Sequence, residues 1–242
     1  MSVRRDSTSL SPALVKRMFA AVRNGHADEL ARYADMGGDL NLFDHDGWTM
    51  LMHTVPHEQP QMARQLLALG ANPELKDTDE GFTTLYRAAI RGSVSIVSVL
   101  LEAGVDTEAT DGEGRTALMA AVMEMQHACV ERLLTGGASV NAQDTLGAAP
   151  LYLCARYGQA ETLKLLLEWG ADPNLATATG LSPLISAAWV GDAAKTAMLL
   201  QAGADVAWQD DRGRTALSIA ESRGFDEIVS LLNSARSGSG AA

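Results

Sequence analysis

The sequence has few of the residues on which several protein classes depend. Two cysteines in 242 residues are too few for a disulfide framework, and we expect two packed free thiols in a reducing compartment, the cytoplasm. Nineteen Lys and Arg against 30 Asp and Glu give a net charge of −11, which repels nucleic acid and anionic membrane surfaces. No apolar run approaches the roughly 18 residues needed to cross a bilayer. We therefore expect no nucleic-acid or membrane partner.

Motifs for chemistry are also missing. The sequence contains no nucleophile elbow, phosphate-binding loop or zinc-protease motif. His53 and His57 have a metal-like spacing but no third ligand nearby, and we interpret them as a surface-turn pair. Asp44 and Asp46 resemble the start of a calcium loop, yet the twelfth position is Val55 instead of Glu. The sequence thus predicts no catalytic, cofactor or metal site, and no enzyme.

Glycine is the residue that organises this chain. Two independent series of glycines recur every 33 residues, with one step of 34 residues in each that an inserted residue near Asp77 to Glu80 explains. A repeat of this length predicts a stack of supersecondary units. The first series is Gly47, Gly81, Gly114, Gly147, Gly180 and Gly213, and the second is Gly37, Gly70, Gly104, Gly137, Gly170 and Gly203.

Cap and turn residues at fixed positions predict a pair of helices in each unit. A hydroxyl residue that can cap a helix follows the first glycine, at Thr49, Thr83, Thr116, Ser182 and Thr215. A second glycine turns the chain between the helices, at Gly25, Gly92, Gly158, Gly191 and Gly224. The glycines of the second 33-residue series end the second helix of each pair, because glycine adopts the left-handed backbone conformation at the lowest conformational free energy. Aspartate then precedes the next glycine, as in a hairpin turn, at Asp44, Asp77, Asp111, Asp144 and Asp210.

Three positions depart from this pattern. Glu58 and Met125 stand where the turn glycine is expected, and the prolines around Glu58 predict an altered turn in that unit. Ala149 replaces the capping hydroxyl, which should loosen its helix by about 1 kcal/mol.

The segment 79–109, DEGFTTLYRAAIRGSVSIVSVLLEAGVDTEA, resembles the ankyrin repeat, whose pattern is G-x-T-P-L-H-x-A-A-x-x-G-H-x-x-I-V-x-x-L-L-x-x-G-A-x-x-N. The resemblance implies an all-α repeat solenoid in which helix-turn-helix pairs are joined by short β-hairpin-like turns. We expect a flexible tail at 1–9, a degenerate capping repeat at 10–42, repeats at 43–75, 76–109, 110–142, 143–175 and 176–208, a C-terminal capping repeat at 209–236 and a flexible tail at 237–242.

The resemblance also implies a binding face. In the family, partners contact the concave surface formed by hairpin tips and the first helix of each pair, at positions that the scaffold does not need. Mapped onto this chain, the candidate partner-binding residues are Trp48, Phe82, Arg91, Arg115, Met123, Arg156, Tyr157, Leu181, Trp189 and Arg214. Aromatic and Arg side chains are typical of binding hot spots. We assign Trp169, Trp208, Tyr33 and Tyr86 to local packing.

These observations predict a monomeric, non-catalytic protein-protein interaction module that acts as regulator, inhibitor or scaffold. Its acidic charge favours a partner with a basic region. Two alternatives stay open. One is a self-assembling structural protein whose apolar strip meets its own copy. The other is an enzyme with a grafted site, for which His45, His57, Asp46 and Asp79 are the only material.

Overall fold

The computed structural model describes residues 11–238, so the predicted tail at 1–9 and the last four residues lie outside the described residues. Within 11–238 the chain forms thirteen α-helices and one 3-10 helix, Met52–Thr54, which lies between α2 and α3. The α-helices are α1 Pro12–Asn24, α2 Ala27–Asp35, α3 Pro60–Ala68, α4 Thr84–Arg91, α5 Val94–Glu102, α6 Ala117–Met123, α7 His127–Thr135, α8 Pro150–Tyr157, α9 Ala160–Glu168, α10 Pro183–Val190, α11 Ala193–Gln201, α12 Ala216–Arg223 and α13 Asp226–Gly238. Helix α13 therefore includes Ser237 and Gly238 from the segment that we predicted as a tail.

The first helix of a pair, which we call the inner helix, begins directly after the predicted hydroxyl residue in α4, α6, α10 and α12. Thr83 shows the geometry, because its Oγ1 accepts a hydrogen bond of 3.2 Å from the amide of Tyr86 and so satisfies a donor that the helix itself leaves unpaired. Thr49, Thr116, Ser182 and Thr215 accept the equivalent bond. Ala149 precedes α8 without any side-chain cap. The capping prediction is confirmed at Thr83, Thr116, Ser182 and Thr215. It is wrong at Thr49, because only the 3-10 helix Met52–Thr54 follows and Leu51 stands at its N-terminus.

The turns between paired helices do not all use glycine in the same way. Glu58 and Met125 take φ angles of 47° and 55°, so they adopt the left-handed conformation despite their side chains. Gly158 lies in the turn between α8 and α9 as predicted, but its backbone is extended, with φ −86° and ψ −178°, and not left-handed like that of the other turn glycines. It is required for space, because a Cβ there would lie 2.6 Å from the Sγ of Cys154.

In each hairpin turn a backbone amide donates to the carbonyl of the residue after the glycine. An aspartate side chain holds five of the six turns between residues 43 and 214, and Thr177 takes its place in the turn before Gly180. The amide of Asp111 donates to the carbonyl of Arg115 at 3.0 Å, and the Asp111 carboxylate accepts from two amides of the turn. The turn that starts at Asp77 closes instead on the carbonyl of Phe82, one residue further on, at 2.9 Å. This longer turn accounts for the 34-residue step in both glycine series.

The helices stack in two parallel rows. The inner helices α4, α6, α8, α10 and α12 pack in that order, and the outer helices α3, α5, α7, α9, α11 and α13 do the same. The main packing contacts join helices of one repeat or of consecutive repeats, and a continuous hydrophobic core runs between the rows. The predicted solenoid is therefore confirmed.

Candidate protein-binding face

The ten candidate residues occupy two equivalent sets of positions. Five follow the hairpin glycine of their repeats, namely Trp48, Phe82, Arg115, Leu181 and Arg214. Five lie at or near the C-terminal end of inner helices, namely Arg91, Met123, Arg156, Tyr157 and Trp189. Hairpins and inner helices together form what we call the inner face. Because the repeats stack in register, the same positions line up along this face.

Three of the candidates line a first depression, the Trp48 cleft. Its lining consists of Trp48, Val55, Pro56, Glu80, Phe82, Arg87, Ile90 and Arg91, and its volume is about 260 Å³. The Arg87 guanidinium lies 3.9 Å from the centre of the Trp48 ring and 5.5 Å from that of Phe82. A cation over an aromatic face is attracted by the ring quadrupole. Arg87 thus joins the two aromatic side chains into one wall.

Arg87 was not among our candidates, and its role depends on a contact across the hairpin. Its Nε donates to the Oδ2 of Asp77 at 2.8 Å, and the Asp77 side chain is fully buried. The equivalent residue is Ala120 in one repeat and Leu153 in the next. In the repeat that precedes that of Arg87, the equivalent residue is His53, which pairs with the hairpin residue Asp44 as Arg87 pairs with Asp77. A basic side chain at a position that the later repeats fill with a small or apolar residue was the available signal.

Five other candidates line a second depression, the Trp189 cleft. Its lining consists of Tyr152, Arg156, Tyr157, Leu181, Ile185, Ser186, Trp189 and Arg214, and its volume is about 310 Å³. Tyr157 is 51% exposed, which is high for so large a side chain on a folded repeat. The Arg214 guanidinium lies 5.3 Å from the centre of the Trp189 ring, and that of Arg223 lies 4.2 Å from it.

Arg115 and Met123 line neither cleft. Arg115 forms an ion pair with Glu113 on the same hairpin, and its buried Nε has no hydrogen-bond partner in the part of the chain that the structure describes. Met123 is half-buried and packs on the hydrophobic core. Met125, which the mapping passed over, is 52% exposed at the adjacent turn. The structure thus brings eight of the ten candidates together in two clefts and leaves two outside them.

His53 is buried, so our interpretation of His53 and His57 as a surface-turn pair is wrong for His53. Its Nε2 lies 2.7 Å from the Oδ2 of Asp44, and its ring contacts Phe19 edge-on at 5.5 Å. Burial lowers the pKa of His53, and the hydrogen bond to Asp44 only partly opposes this shift. The side chain therefore ties the first hairpin to α1 of the capping repeat.

Asp44, His45 and Asp46 form a group whose potential ligand atoms lie within 4.8 Å of one another, in the part of the chain that the structure describes. However, both carboxylate oxygens of Asp44 already accept hydrogen bonds, from the amides of Asp46 and Trp48 and from His53. The hairpin itself thus accounts for this carboxylate.

The two cysteines and the two tryptophans that we assigned to local packing differ in burial. Both cysteines are buried free thiols, and burial raises the pKa of Cys129 to about 11 and that of Cys154 to about 12. Trp208 packs locally, because its indole donates to the carbonyl of Gly180 at 2.9 Å. Trp169 is 46% exposed where α9 ends, so our assignment of Trp169 to local packing is wrong.

Comparison with known proteins decides the family. A family model described as ankyrin repeats matches three times, over residues 18–111, 103–177 and 151–239. The chain belongs to the ankyrin-repeat family. The solved ankyrin repeat domain of Bcl-3, an IkappaB family member, matches with a TM-score of 0.83 and 27% identity, over 93% of this chain and 99% of that one.

Curated relatives share the repeats but are longer. An ankyrin repeat-containing protein of Treponema pallidum is 32% identical over 95 residues, 39% of this chain and 32% of that protein. Ankyrin repeat and SOCS box protein 3 of Bos taurus is 34% identical over 92 residues, 37% of this chain and 18% of that protein. The matched stretch is thus a third or less of each relative. Family membership supports a protein-interaction module.

Between residues 11 and 238, no helix is both long and apolar enough to traverse a membrane.

Proposed function

We propose that this chain is a non-catalytic module that binds a partner protein on its inner face, as a regulator, inhibitor or scaffold. The observation that carries the proposal is the alignment of eight candidate side chains in two clefts on one face. Partly exposed aromatic and Arg side chains around a depression are where binding free energy concentrates. We further propose that the chain acts as a cytoplasmic monomer.

The repeat architecture gives this face its rigidity. Each inner helix is packed against its neighbours, so the side chains at its end are ordered before a partner arrives. A preformed surface loses less conformational freedom on binding than a flexible one does. The net charge of −11 draws a partner with a basic region toward the molecule over distances of about a Debye length.

The test is capture from a lysate with a variant that changes the Trp189 cleft. Tyr157→Ala combined with Trp189→Ala should lose the captured partner, because it removes two large contact side chains. Trp169→Ala is the matched control, since it removes an exposed indole at the end of an outer helix. Circular dichroism should show that both variants are folded. Retention of every specific partner by the double variant would refute the inner face as the binding surface.

Self-assembly is the second candidate, and the exposed Leu146 side chain, 65% accessible on its hairpin, favours it. An exposed apolar side chain on a hairpin can contribute to a contact with a second copy of the chain. Light scattering distinguishes the two functions. A monomer at high concentration supports partner binding, whereas a dimer that Leu146→Ser dissociates supports self-assembly.

A further inference from the structure

The Trp189 cleft is basic within an acidic protein. Its lining includes Arg156 and Arg214 and no carboxylate side chain, whereas the whole chain carries a net charge of −11. Arg223 is not part of the lining, but its guanidinium lies 4.2 Å from the centre of the Trp189 ring. In the Trp48 cleft, by contrast, Glu80 is part of the lining. The two clefts therefore differ in the charge that they present to a partner.

Arg214 is held in place by a carboxylate that a partner cannot reach. Its Nε donates to the Oδ2 of Asp210 at 2.8 Å, and one terminal nitrogen lies 2.7 Å from the same oxygen. The Asp210 side chain is only 2% exposed and is already bound to backbone amides of its hairpin. Asp210 thus orients the Arg214 guanidinium and does not itself line the cleft.

Arg156 and Arg223 have no such partner. Arg156 donates from Nε to the hydroxyl of Tyr157 at 2.9 Å, which is a neutral acceptor. Among residues 11–238, neither Arg156 nor Arg223 has a carboxylate oxygen within 4 Å. Both therefore keep guanidinium N–H donors for an acceptor from outside the chain.

A buried hydroxyl lies in the same wall. Ser186 is 3% exposed, and its Oγ has no hydrogen-bond partner among residues 11–238. A serine in the middle of a helix can bond back to its own backbone, and Ser222 does so with the carbonyl of Ile219 at 2.8 Å. The Ser186 hydroxyl makes no such bond, and it lies in the same wall as the apolar residues Leu181 and Ile185. An unused polar atom in an otherwise apolar wall favours a ligand that is part polar and part apolar.

We propose that the Trp189 cleft receives an acidic side chain of the partner protein, an Asp or Glu that neighbours an aliphatic residue. This inference rests on the proposed function and specifies the partner's chemistry. The carboxylate accepts hydrogen bonds from Arg156, which lines the cleft, and from Arg223 beside the Trp189 ring, because both keep N–H donors without a carboxylate partner among residues 11–238. The aliphatic neighbour covers Leu181 and the Trp189 ring. The basic region that net charge attracts then lies elsewhere on the partner.

The probe is a pair of synthetic peptides, Ac-Gly-Ser-Leu-Glu-Glu-Leu-Ser-Gly-amide and the same peptide with both Glu replaced by Gln. Each is titrated into the full chain, and binding is followed by the NMR signal of the Trp189 indole, which Trp189→Phe assigns. The Glu peptide should shift this signal and bind at least about tenfold more tightly than the Gln peptide, because hydrogen bonds to charged groups contribute about one factor of ten or more. Added salt should weaken only the Glu peptide.

Variants locate the effect. Arg156→Gln and Arg223→Gln should each weaken the Glu peptide by about tenfold and leave the Gln peptide unchanged. Arg132→Gln on outer helix α7 is the matched control and should change neither. A third peptide with phosphoserine in place of both Glu tests a phosphate as the anion.

The contrary peptide outcomes overturn the inference without affecting the proposed function, whereas a dimer would overturn both. Equal effects of the Glu and Gln peptides, or no shift of the Trp189 indole, would refute an acidic anchor even if lysate capture still depends on Trp189. Binding of the phosphoserine peptide alone would replace the carboxylate with a phosphate. Light scattering that shows a dimer, dissociated by Arg223→Gln, would make a second copy the occupant.

Discussion

Replacement of Arg87 by Ala should lower the free energy of unfolding by about 3 to 4 kcal/mol. Removal of one member of a buried ion pair costs about 3 to 5 kcal/mol, because the remaining charge stays buried without compensation. The Asp77 side chain is fully buried, while that of Arg87 is 13% exposed. In the variant, Asp77 keeps hydrogen bonds from the amides of Glu80, Gly81 and Phe82. Because these bonds partly compensate the buried charge, we expect the loss of the ion pair to cost about 3 kcal/mol, the lower end of that range. The lost contact with the indole ring of the Trp48 cleft adds about 0.5 to 1 kcal/mol.

The assay is urea unfolding followed by tryptophan fluorescence, together with native-state hydrogen exchange, because repeat arrays need not unfold in one step. Arg64→Ala is the control. Its ion pair with Glu102 has a similar distance, 3.0 Å, but both side chains are about half exposed, so the loss should stay below about 1 kcal/mol. Equal losses from Arg87→Ala and Arg64→Ala would refute the claim that burial gives the Arg87 pair its strength.

Three further predictions concern single side chains. Burial lowers the pKa of His53, so the contribution of the neutral side chain to stability is complete above the ordinary pKa of about 6.5 and is lost as the pH falls below that value. The melting temperature should therefore fall between pH 7.5 and 5.5, and His53→Gln should make this fall smaller. Replacement of the exposed His45 by Gln should leave the fall unchanged. Ala149→Ser recreates the Ser182 cap before a proline and should raise the free energy of unfolding in urea by about 1 kcal/mol. Cys154, whose pKa burial raises to about 12, should react with a thiol reagent at pH 8 only at the rate at which the array opens, and fast native labelling would contradict this burial.

The scaffold could be predicted because its determinants are local. A cap such as Thr83 and a left-handed glycine such as Gly104 act within a few residues of their own position, and repetition made them visible. The conformation of Glu58 was harder to predict. Its left-handed backbone is supported by the next repeat, where the hydroxyls of Ser93 and Ser95 donate to its carboxylate. No pattern within one repeat contains that information.

The candidate face also combines features that the sequence could predict with contacts between repeats that it could not. The ten positions could be mapped from the repeat register, because register determines which residues share a face. The sequence could not show that Arg87 lies over Trp48, since that contact joins two repeats and depends on side-chain direction. Nor could it show that His53 turns inward to Asp44, since Pro56 lies between His53 and His57 and the pair was interpreted as a surface turn.

Hydrogen exchange on the complex with the captured partner tests the central claim most directly. If the inner face binds the partner, protection should increase at the hairpins and at the C-terminal ends of α8 and α10, and the outer helices α5, α7 and α9 should be unchanged. Protection confined to those outer helices would contradict the account.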